Sequence, residues 1–517
     1  MSLDRSSVGY TFGNHDPLPS VSHCGNETLV NLVAGRQDRS APRTLFGQPI
    51  GLTNLFMVEL WERFAFYGML TILAYYLYHP IASGGLGLPK STATSIVGAY
   101  GGLVYLSTVM GGWVADRLLG IERMVLYGGI AVMVGHCALA VLPGLTGLLV
   151  GLLFIALGSG ALKTNATSLL GTLYVENDSR RDGGFTLFYL GINLGAFIGP
   201  LVTGFFQTQL GFRFGFGVSA AGMAVGLTLY VIFRPNLGDH GRTIANPLPR
   251  NAIWRTVGVM GAVIATIAVA FVGGLFELSD LAQLTTVVIV LAATSYFTVM
   301  LRSDKVRPIE RDRVRAFVPL FIANAAFWAL FQQTDTVLLV YSEDRVNRSI
   351  FGWETPPNWV ASIEPVWVIA LSPLFALLWT KLGRRAPSTP HKFAYGVIGM
   401  GGAFLLFLTV AHMPGRSVPV LLVAVFMGVF AVSELILSPT GLSVTTQLAP
   451  DAFRGQMTAL YFFSIGLGTA MSGVLARYYN TENEFVYFGT IGIVAIAIGL
   501  IIWALAPRIS RLMAGVH

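Results

Sequence analysis

Residues 50–78 read IGLTNLFMVELWERFAFYGMLTILAYYLY, an apolar run that contains three charged side chains, Glu59, Glu62 and Arg63. The run is long enough to cross a hydrocarbon core of about 30 Å, which takes roughly 20 helical residues. A charged side chain at mid-bilayer costs at least about 2.5–3.5 kcal/mol on insertion scales. The stretch therefore predicts a transmembrane helix whose charged face meets protein or a water-filled cavity instead of lipid.

Similar apolar runs recur along the whole chain of 517 residues. Hydrophobic residues make up 54% of the sequence and charged residues only 11%, whereas a soluble domain has roughly 25% charged residues. We therefore expect an all-α membrane protein with fourteen transmembrane helices. The predicted spans lie near 50–78, 93–115, 122–142, 145–170, 184–206, 213–233, 253–276, 281–301, 315–341, 358–380, 391–413, 417–441, 452–476 and 483–507.

Lysine and arginine are distributed unevenly among the predicted loops. With the N-terminus inside, the inside segments hold twenty-five of these residues and the outside segments hold six, while Arg63 and Lys163 lie within spans. Because positively charged loops stay on the cytoplasmic side, this asymmetry predicts cytoplasmic termini. The net charge of +7 is explained by these loops and requires no nucleic-acid partner.

Two polar loops, 234–255 and 302–315, enclose a hairpin of two spans. Removing the hairpin leaves six spans before it and six after it, as expected for a duplicated unit whose halves face each other across a cavity. The role of the hairpin is open, and a lipid-facing spacer is one interpretation. The predicted parts are a mobile cytoplasmic tail 1–45, a first six-helix bundle 46–234, the inserted hairpin with its loops 235–314, a second six-helix bundle 315–507 and a cytoplasmic tail 508–517.

Glu59, Glu62 and Arg63 have the spacing i, i+3, i+4, which places them on one helical face, with Tyr67 one turn beyond. One carboxylate can pair with Arg63 while the other is left beside a like charge, a pattern that favours a proton-binding site. The alternative is a fixed ion network that only joins helices. Apolar packing usually does that as well as a buried ion pair, so the pattern favours a functional site.

Further charged residues stand alone in other spans, namely Lys163, Asp335 and Glu434, with Glu364 less certain because it lies nearer a span end. Without the hairpin, Lys163 and Glu434 occupy the fourth and the tenth spans, which are pseudo-equivalent, so they would meet across a central cavity if the halves face each other. The alternative is that each pairs within its own half.

Several polar side chains accompany these charges. Tyr105, Tyr189 and Asn193 lie deep in their spans, away from the interfaces where tyrosine usually occurs.

The residue types needed for enzyme chemistry are poorly placed. The two cysteines, Cys24 and Cys137, lie in a tail and in an apolar span, and the eight histidines are mostly in loops, tails or span ends. Neither set has the spacing of metal ligands or of a nucleophile with its base. The sequence therefore predicts no enzyme, no metal site and no cofactor.

Six stretches together resemble one family, the proton-dependent oligopeptide transporters of the major facilitator superfamily. The first is the ExxER pattern of Glu59, Glu62 and Arg63 followed by Tyr67 and Gly68. The others are YLSTVMGGWVADRLLG (105–120), GSGALKTNATSLLG (158–171), FTLFYLGINLGAFIGP (185–200), FWALFQQTDT (327–336) and SELILSPTGLSVTTQLAP (433–450). The resemblance covers nearly the whole chain beyond residue 45, and the two-helix insertion is typical of bacterial members.

The resemblance implies a major facilitator fold that alternates between two open states and imports di- and tripeptides with protons across the bacterial inner membrane. It implies proton-coupling roles for Glu59, Glu62, Arg63, Lys163 and Asp335. It implies peptide-binding roles for Arg63, Tyr67, Tyr105, Lys163, Asn193, Trp328, Gln332, Glu434 and Tyr461, and a gate pair of Lys163 and Glu434. The expected partners are peptides, protons and the lipid bilayer, with protons as coupling ions.

Four positions depart from the family pattern: Phe66 in place of a tyrosine, Thr164 in place of a proline, Leu70 in place of an arginine and Gln332 in place of an acidic residue. The last two are family partners in an outer gate, so their joint loss leaves no unpaired charge. We expect outer-gate closure to depend on Asp335 or on neutral hydrogen bonds.

Two alternatives in the same cavity remain. One is transport of a different small anionic or zwitterionic solute, and the other is a nutrient receptor that does not transport.

Overall fold

The computed structural model describes residues 44–516 apart from 46, 176, 177, 179, 245, 250, 251, 253, 256, 257 and 259–276. The predicted N-terminal tail, except for its last two residues, lies outside the described residues. So does most of the first helix of the predicted hairpin, near 253–276.

Helices dominate the described chain. The first set comprises α1 (Ile50–Tyr78), α2 (Lys90–Val114), α3 (Ile121–Val141), α4 (Gly144–Thr172), α5 (Arg181–Leu210) and α6 (Phe212–Phe233). The helix α7 (Leu281–Arg302) follows, and the second set comprises α8 (Pro308–Phe331), α9 (Val337–Asp344), α10 (Ile363–Leu382), α11 (Thr389–Leu406), α12 (Val420–Leu448), α13 (Arg454–Ala476) and α14 (Glu484–Leu512).

The short elements lie between these helices. The strands are β1 (Thr44–Leu45), β2 (Gln48–Pro49), β3 (Val346–Asn347), β4 (Ser349–Ile350), β5 (Trp353–Glu354) and β6 (Val418–Pro419). Strand β3 pairs in parallel with β6, and β4 pairs antiparallel with β5. One π turn, Ala115–Leu119, extends α2. The 3-10 turns are Ile81–Ser83, Arg234–Leu237, Leu278–Asp280, Gln332–Asp335, Pro357–Ser362, Gly383–Arg385, Phe407–Thr409 and Asp451–Phe453.

Among the described residues, twelve helical segments are long and apolar enough to cross a membrane. Helix α1 has 29 residues, but it carries the three charged side chains of the ExxER pattern. The predicted span near 253–276 is outside the described part. These segments agree with the predicted all-α membrane protein.

Helices within each set pack on one another through small residues. In the first set α3 lies against α4, and α1 lies against α5 and α6. At the α3–α4 contact a Cβ atom on Gly128 would lie 2.8 Å from the carbonyl oxygen of Gly158. Such close backbone approach gives the packing that holds helices together in lipid, so these glycines bring the backbones of α3 and α4 together.

The two sets meet mainly along two seams. Helix α2 packs against α13, and α5 packs against Pro357–Ser362 and the start of α10. At the first seam Gly98 faces Gly473 so closely that a Cβ atom on Gly98 would lie 2.4 Å from Gly473 Cα. The cavity described below lies between the two sets.

Helix α7 lies beside the α2–α13 seam and contacts both helices. Thr285 and Ile289 are buried on its inner face, and the rings of Tyr296 and Phe463 are 5.6 Å apart. The other face exposes apolar side chains such as Leu291. The hairpin helix is therefore part of the packing between the two sets, and the interpretation of a lipid-facing spacer is incomplete.

The predicted span near 315–341 is broken. Helix α8 ends at Phe331, a 3-10 turn covers Gln332–Asp335, and α9 continues from Val337. The break turns Gln332 and Asp335 toward the cavity between the two sets. No glycine or proline marks this break in the sequence, so hydropathy predicts one continuous helix.

Candidate functional site

The charged cluster of α1 forms a compact buried network. Arg63 Nε donates to Glu59 Oε1 at 2.7 Å, and Arg63 Nη2 lies 2.6 Å from the same oxygen. Arg63 Nε is also 3.2 Å from Glu62 Oε2. The helical spacing thus brings both carboxylates to one guanidinium, as the sequence predicts.

A serine from α4 completes this network. Ser159 Oγ donates to Glu62 Oε1 at 2.6 Å, from a fully buried position. Ser159 from α4 and Arg63 from α1 therefore hold the Glu62 carboxyl group from two helices. Sequence analysis did not identify Ser159, although it lies one turn before Lys163 on the same face of α4.

Lys163 takes an aromatic partner. Its Nζ lies 4.1 Å from the ring centroid of Phe66 and 5.2 Å from that of Tyr105. A cation over an aromatic face is attracted by the ring quadrupole, so the departure Phe66 supplies a surface for the ammonium group. No ion pair between Lys163 and Glu434 occurs in the part of the chain that the structure describes. Their predicted gate contact is therefore absent from this conformation.

A cavity of about 90 Å³ lies between the two helix sets. Its wall combines aromatic rings, amides and carboxylates, a mixture that suits a small ligand with both polar and apolar parts. The lining residues are Tyr67, Thr71, Tyr105, Tyr189, Ile192, Asn193, Ala196, Pro200, Trp328, Phe331, Gln332, Thr334, Asp335, Ala361, Glu364, Pro365 and Glu434.

Charge is divided between the two helix sets. The three carboxylates that line the cavity, Asp335, Glu364 and Glu434, all belong to the second set. The nearby cations, Arg63 and Lys163, belong to the first set and lie outside that lining. The cations therefore come from the first set and the lining carboxylates from the second, an arrangement that complements a zwitterion when Arg63 is released from Glu59 and Glu62.

Glu364 lies closer to the centre of the protein than its position in the sequence suggests. It is only 7% exposed, and its carboxyl group is adjacent to that of Glu434. Tyr189 donates to Glu434 Oε1 at 3.3 Å. The sequence leaves Glu364 less certain because it lies nearer a span end; in the structure it is the second residue of α10 and lines the cavity.

Most of the other predicted site residues line the cavity. Tyr67 and Tyr105 face it from the first set, Asn193 donates to the carbonyl of Tyr189 at 3.0 Å, and Gln332 donates to Thr469 Oγ1 at 3.3 Å. Trp328 lines the opposite wall.

Tyr461 is outside the cavity lining. It is buried where α13 meets α12, and a Cβ atom on Gly441 would lie 2.9 Å from its ring. In this conformation it packs between helices.

One end of the bundle is closed by contacts between the two sets, and we call it the closed end. Tyr78 donates to Glu343, His79 Nε2 lies 3.0 Å from Glu343 Oε1, and Lys90 Nζ lies 2.7 Å from Asp344 Oδ2. The carboxylates in these closing contacts are Glu343 and Asp344, and Tyr75 also donates to the carbonyl of Leu339 at 2.8 Å. That outer-gate closure depends on Asp335 or on neutral hydrogen bonds stays a prediction. Asp335 stays a predicted proton site.

The opposite end holds a cleft of about 440 Å³, and we call it the open end. Its walls include Thr108 and Asp116 from the α2 segment, Thr164 from α4, and Gln456 and Phe462 from α13. The described conformation is therefore closed at one end and has a cleft at the other.

The sequence matches the POT family over residues 122–494. This chain belongs to the POT family. The predicted family is therefore confirmed, and the protein is a membrane transporter and not an enzyme.

Curated POT relatives match nearly end to end. The chain is 42% identical to an uncharacterized transporter, YclF, of Bacillus subtilis, over 95% of this chain and 99% of the relative. It is 38% identical to a di-/tripeptide transporter of Lactococcus lactis, over 92% and 98%.

Solved POT structures share the fold. A crystal structure of the peptide transporter POT in complex with sulfate superposes with a TM-score of 0.87 at 43% identity, covering 92% of this chain and 98% of the other. A POT family transporter in complex with 5-aminolevulinic acid gives 0.86 at 36% identity, over 90% and 98%. The predicted major facilitator fold with two helix bundles is confirmed, and the two sets are called the first and second bundle below.

Proposed function

We propose that this POT protein imports di- and tripeptides together with protons, by alternating access across the bacterial inner membrane, with both termini in the cytoplasm. The observation that carries the proposal is the division of charge, with Arg63 and Lys163 on the first bundle and Asp335, Glu364 and Glu434 on the second. A short peptide has one cationic and one anionic end, so it joins the two bundles through opposite charges.

The peptide carboxylate faces the first bundle in this proposal, where Arg63 and Lys163 receive it. The amino group faces Glu434, assisted by Asn193. The aromatic residues Tyr67 and Trp328 contact the peptide side chains. Because ring surfaces accept many shapes, such a wall tolerates different side chains.

Proton coupling is assigned to the α1 network. Arg63 is held by Glu59 at 2.6 Å and by Glu62 at 3.2 Å. Protonating one glutamate removes a negative charge from Arg63 and leaves its guanidinium available to the peptide carboxylate. Peptide and proton thereby favour each other at the site, which is the reciprocity expected of coupled binding.

Alternating access requires that the two ends of the protein open in turn. We assign the closed end to the outside and the open end to the cytoplasm, so the described conformation is the one that releases peptide inward. Lys163 and Glu434 would pair when the open end closes. Asp335 is a second candidate proton site, and protons are the only coupling ions required.

Uptake of labelled dialanine into proteoliposomes tests this proposal. With an inward proton gradient, wild-type protein concentrates the peptide, whereas Glu62→Gln abolishes concentrative uptake and retains downhill exchange of peptide. Exchange in the variant is the control for folding and binding. If a correctly folded wild type takes up no dialanine, the peptide assignment is wrong.

A second candidate substrate is a different small zwitterion. A POT transporter that is 36% identical to this chain was solved in complex with 5-aminolevulinic acid, which also carries an amino group and a carboxylate. Competition between 5-aminolevulinic acid and labelled dialanine in the same proteoliposomes distinguishes the two. Uptake of labelled 5-aminolevulinic acid without dialanine uptake would favour the second candidate.

A further inference from the structure

The acidic side of the cavity contains two neighbouring carboxyl groups. Glu364 and Glu434 come from different helices, α10 and α12, and both line the cavity. Glu434 accepts a hydrogen bond from Tyr189. Glu364 Oε1 is buried and has no hydrogen-bond partner among the described residues. A buried polar atom without a partner costs free energy, so this oxygen is placed to receive a group that the protein itself does not supply.

The charges around the cavity favour a cation as that group. Of the described residues that line the cavity, three are carboxylates and none is lysine or arginine. Arg63 is already engaged by Glu59 and Glu62, and the Lys163 ammonium rests on the Phe66 ring. Neither Glu364 nor Glu434 has an ion-pair partner in the described part of the chain.

A peptide with a single amino group satisfies only one member of this pair. If the α-ammonium group occupies Glu434, as in the proposed function, then Glu364 remains beside the ligand without a cationic partner. A second cationic group near the amino end of the peptide would remove that mismatch, because charge-assisted hydrogen bonds are the strong ones.

We infer that Glu364 selects peptides whose first residue carries a basic side chain, with Glu434 receiving the α-ammonium group and Glu364 receiving the side-chain cation. The inference rests on the proposed function and names the substrate class of the same site. The second cation is assigned to the first residue of the peptide because the two carboxyl groups are adjacent, so both cations must lie near the amino end. The competing arrangement is a proton shared by the two carboxyl groups, which would give no preference for basic peptides.

The test compares two peptides of similar shape, lysyl-alanine and norleucyl-alanine, as competitors of labelled dialanine uptake. Wild type should bind lysyl-alanine roughly tenfold more tightly than norleucyl-alanine, the order expected for one charge-assisted contact. In Glu364→Gln the ratio should fall to about 1–2. Because the measurement is a ratio within each variant, general losses of transport cancel.

Two further variants complete the design. Glu364→Asp keeps the charge and should retain part of the preference, whereas Glu482→Gln removes an exposed carboxylate and should leave the tenfold ratio unchanged. A wild-type ratio near 1, or an equal ratio in wild type and Glu364→Gln, overturns the inference while dialanine uptake still supports the proposed function. If folded wild-type protein neither takes up dialanine nor binds lysyl-alanine or norleucyl-alanine, the proposed function itself is wrong.

Discussion

At the scale of single residues, Arg63 engages two carboxylates from one planar group. Its Nε and Nη2 atoms both lie within 2.7 Å of Glu59 Oε1, and Nε reaches Glu62 Oε2 at 3.2 Å. A lysine ammonium is a single point charge on a flexible stem and does not reproduce this fork. We expect Arg63→Lys to lower the initial rate of proton-driven dialanine uptake by at least about tenfold, measured in proteoliposomes.

The matched control is the same substitution at an exposed ion pair. Arg242 Nη1 lies 3.2 Å from Asp239 Oδ1, and both side chains are solvent-exposed. Since surface pairs contribute about 0–1 kcal/mol, Arg242→Lys should change uptake by less than about twofold. A wild-type rate in Arg63→Lys would show that the fork geometry is not required.

The residue scale also separates what the sequence predicts from what only the fold reveals. The contacts of Glu59, Glu62 and Arg63 follow from helical spacing, so the sequence predicts them. The partner of Lys163 and the neighbour of Glu434 depend on how helices cross. The sequence marks Phe66 only as a residue in place of a tyrosine and Glu364 only as a residue near a span end, because spacing along one helix carries no information about another helix.

At the scale of elements, the approach of α2 to α13 limits how the two bundles meet. A Cβ atom on Gly98 would lie 2.4 Å from the Cα of Gly473, and backbone cannot move as a flexible side chain can. Overpacking typically costs about 1–3 kcal/mol. We therefore expect Gly98→Ala to disfavour this contact and to lower dialanine transport on the order of tenfold, measured as the initial rate of uptake.

Gly402 provides the control, because it also lies within a helix but has open space around it. Gly402→Ala should transport at the wild-type rate and should be at least as stable, since alanine favours helix. Equal transport by the two variants would mean that the α2–α13 seam widens without cost.

Hydropathy predicts elements well in this protein and predicts their interruptions poorly. The spans follow from apolar length alone, which is why twelve of the fourteen predicted spans correspond to single helices or to helices with a terminal turn. The other two are the broken span at 315–341 and the span near 253–276, most of which lies outside the described residues. The break between α8 and α9 has neither proline nor glycine. Its tertiary contacts include Tyr487, which donates to Gln333 Oε1 at 3.0 Å, and Gln332 Nε2, which donates to Thr469 Oγ1 at 3.3 Å, and periodicity does not encode these contacts.

At the scale of the whole molecule, the closed end joins the bundles through few charged contacts. Lys90 Nζ lies 2.8 Å and 2.7 Å from the two carboxylate oxygens of Asp344, and the lysine side chain is 45% exposed. An exposed pair contributes about 0–1 kcal/mol. A free energy of this size is too small to hold the protein in one state, but it is large enough to shift the populations of two states of similar free energy.

Reversing one charge should therefore open this end more often. In intact cells, an impermeant maleimide should label a cysteine placed at Thr334, in a background with Cys24→Ser and Cys137→Ser, about two- to fivefold faster when Lys90→Glu is added. The double variant Lys90→Glu with Asp344→Lys restores opposite charges, so its labelling rate should return to the background rate. The difference should shrink at high salt, since the Debye length falls to about 3 Å at 1 M. Unchanged labelling in Lys90→Glu, or no recovery in the double variant, would mean that the ion pair does not contribute to closure and that Tyr78 and Glu343 hold this end without it.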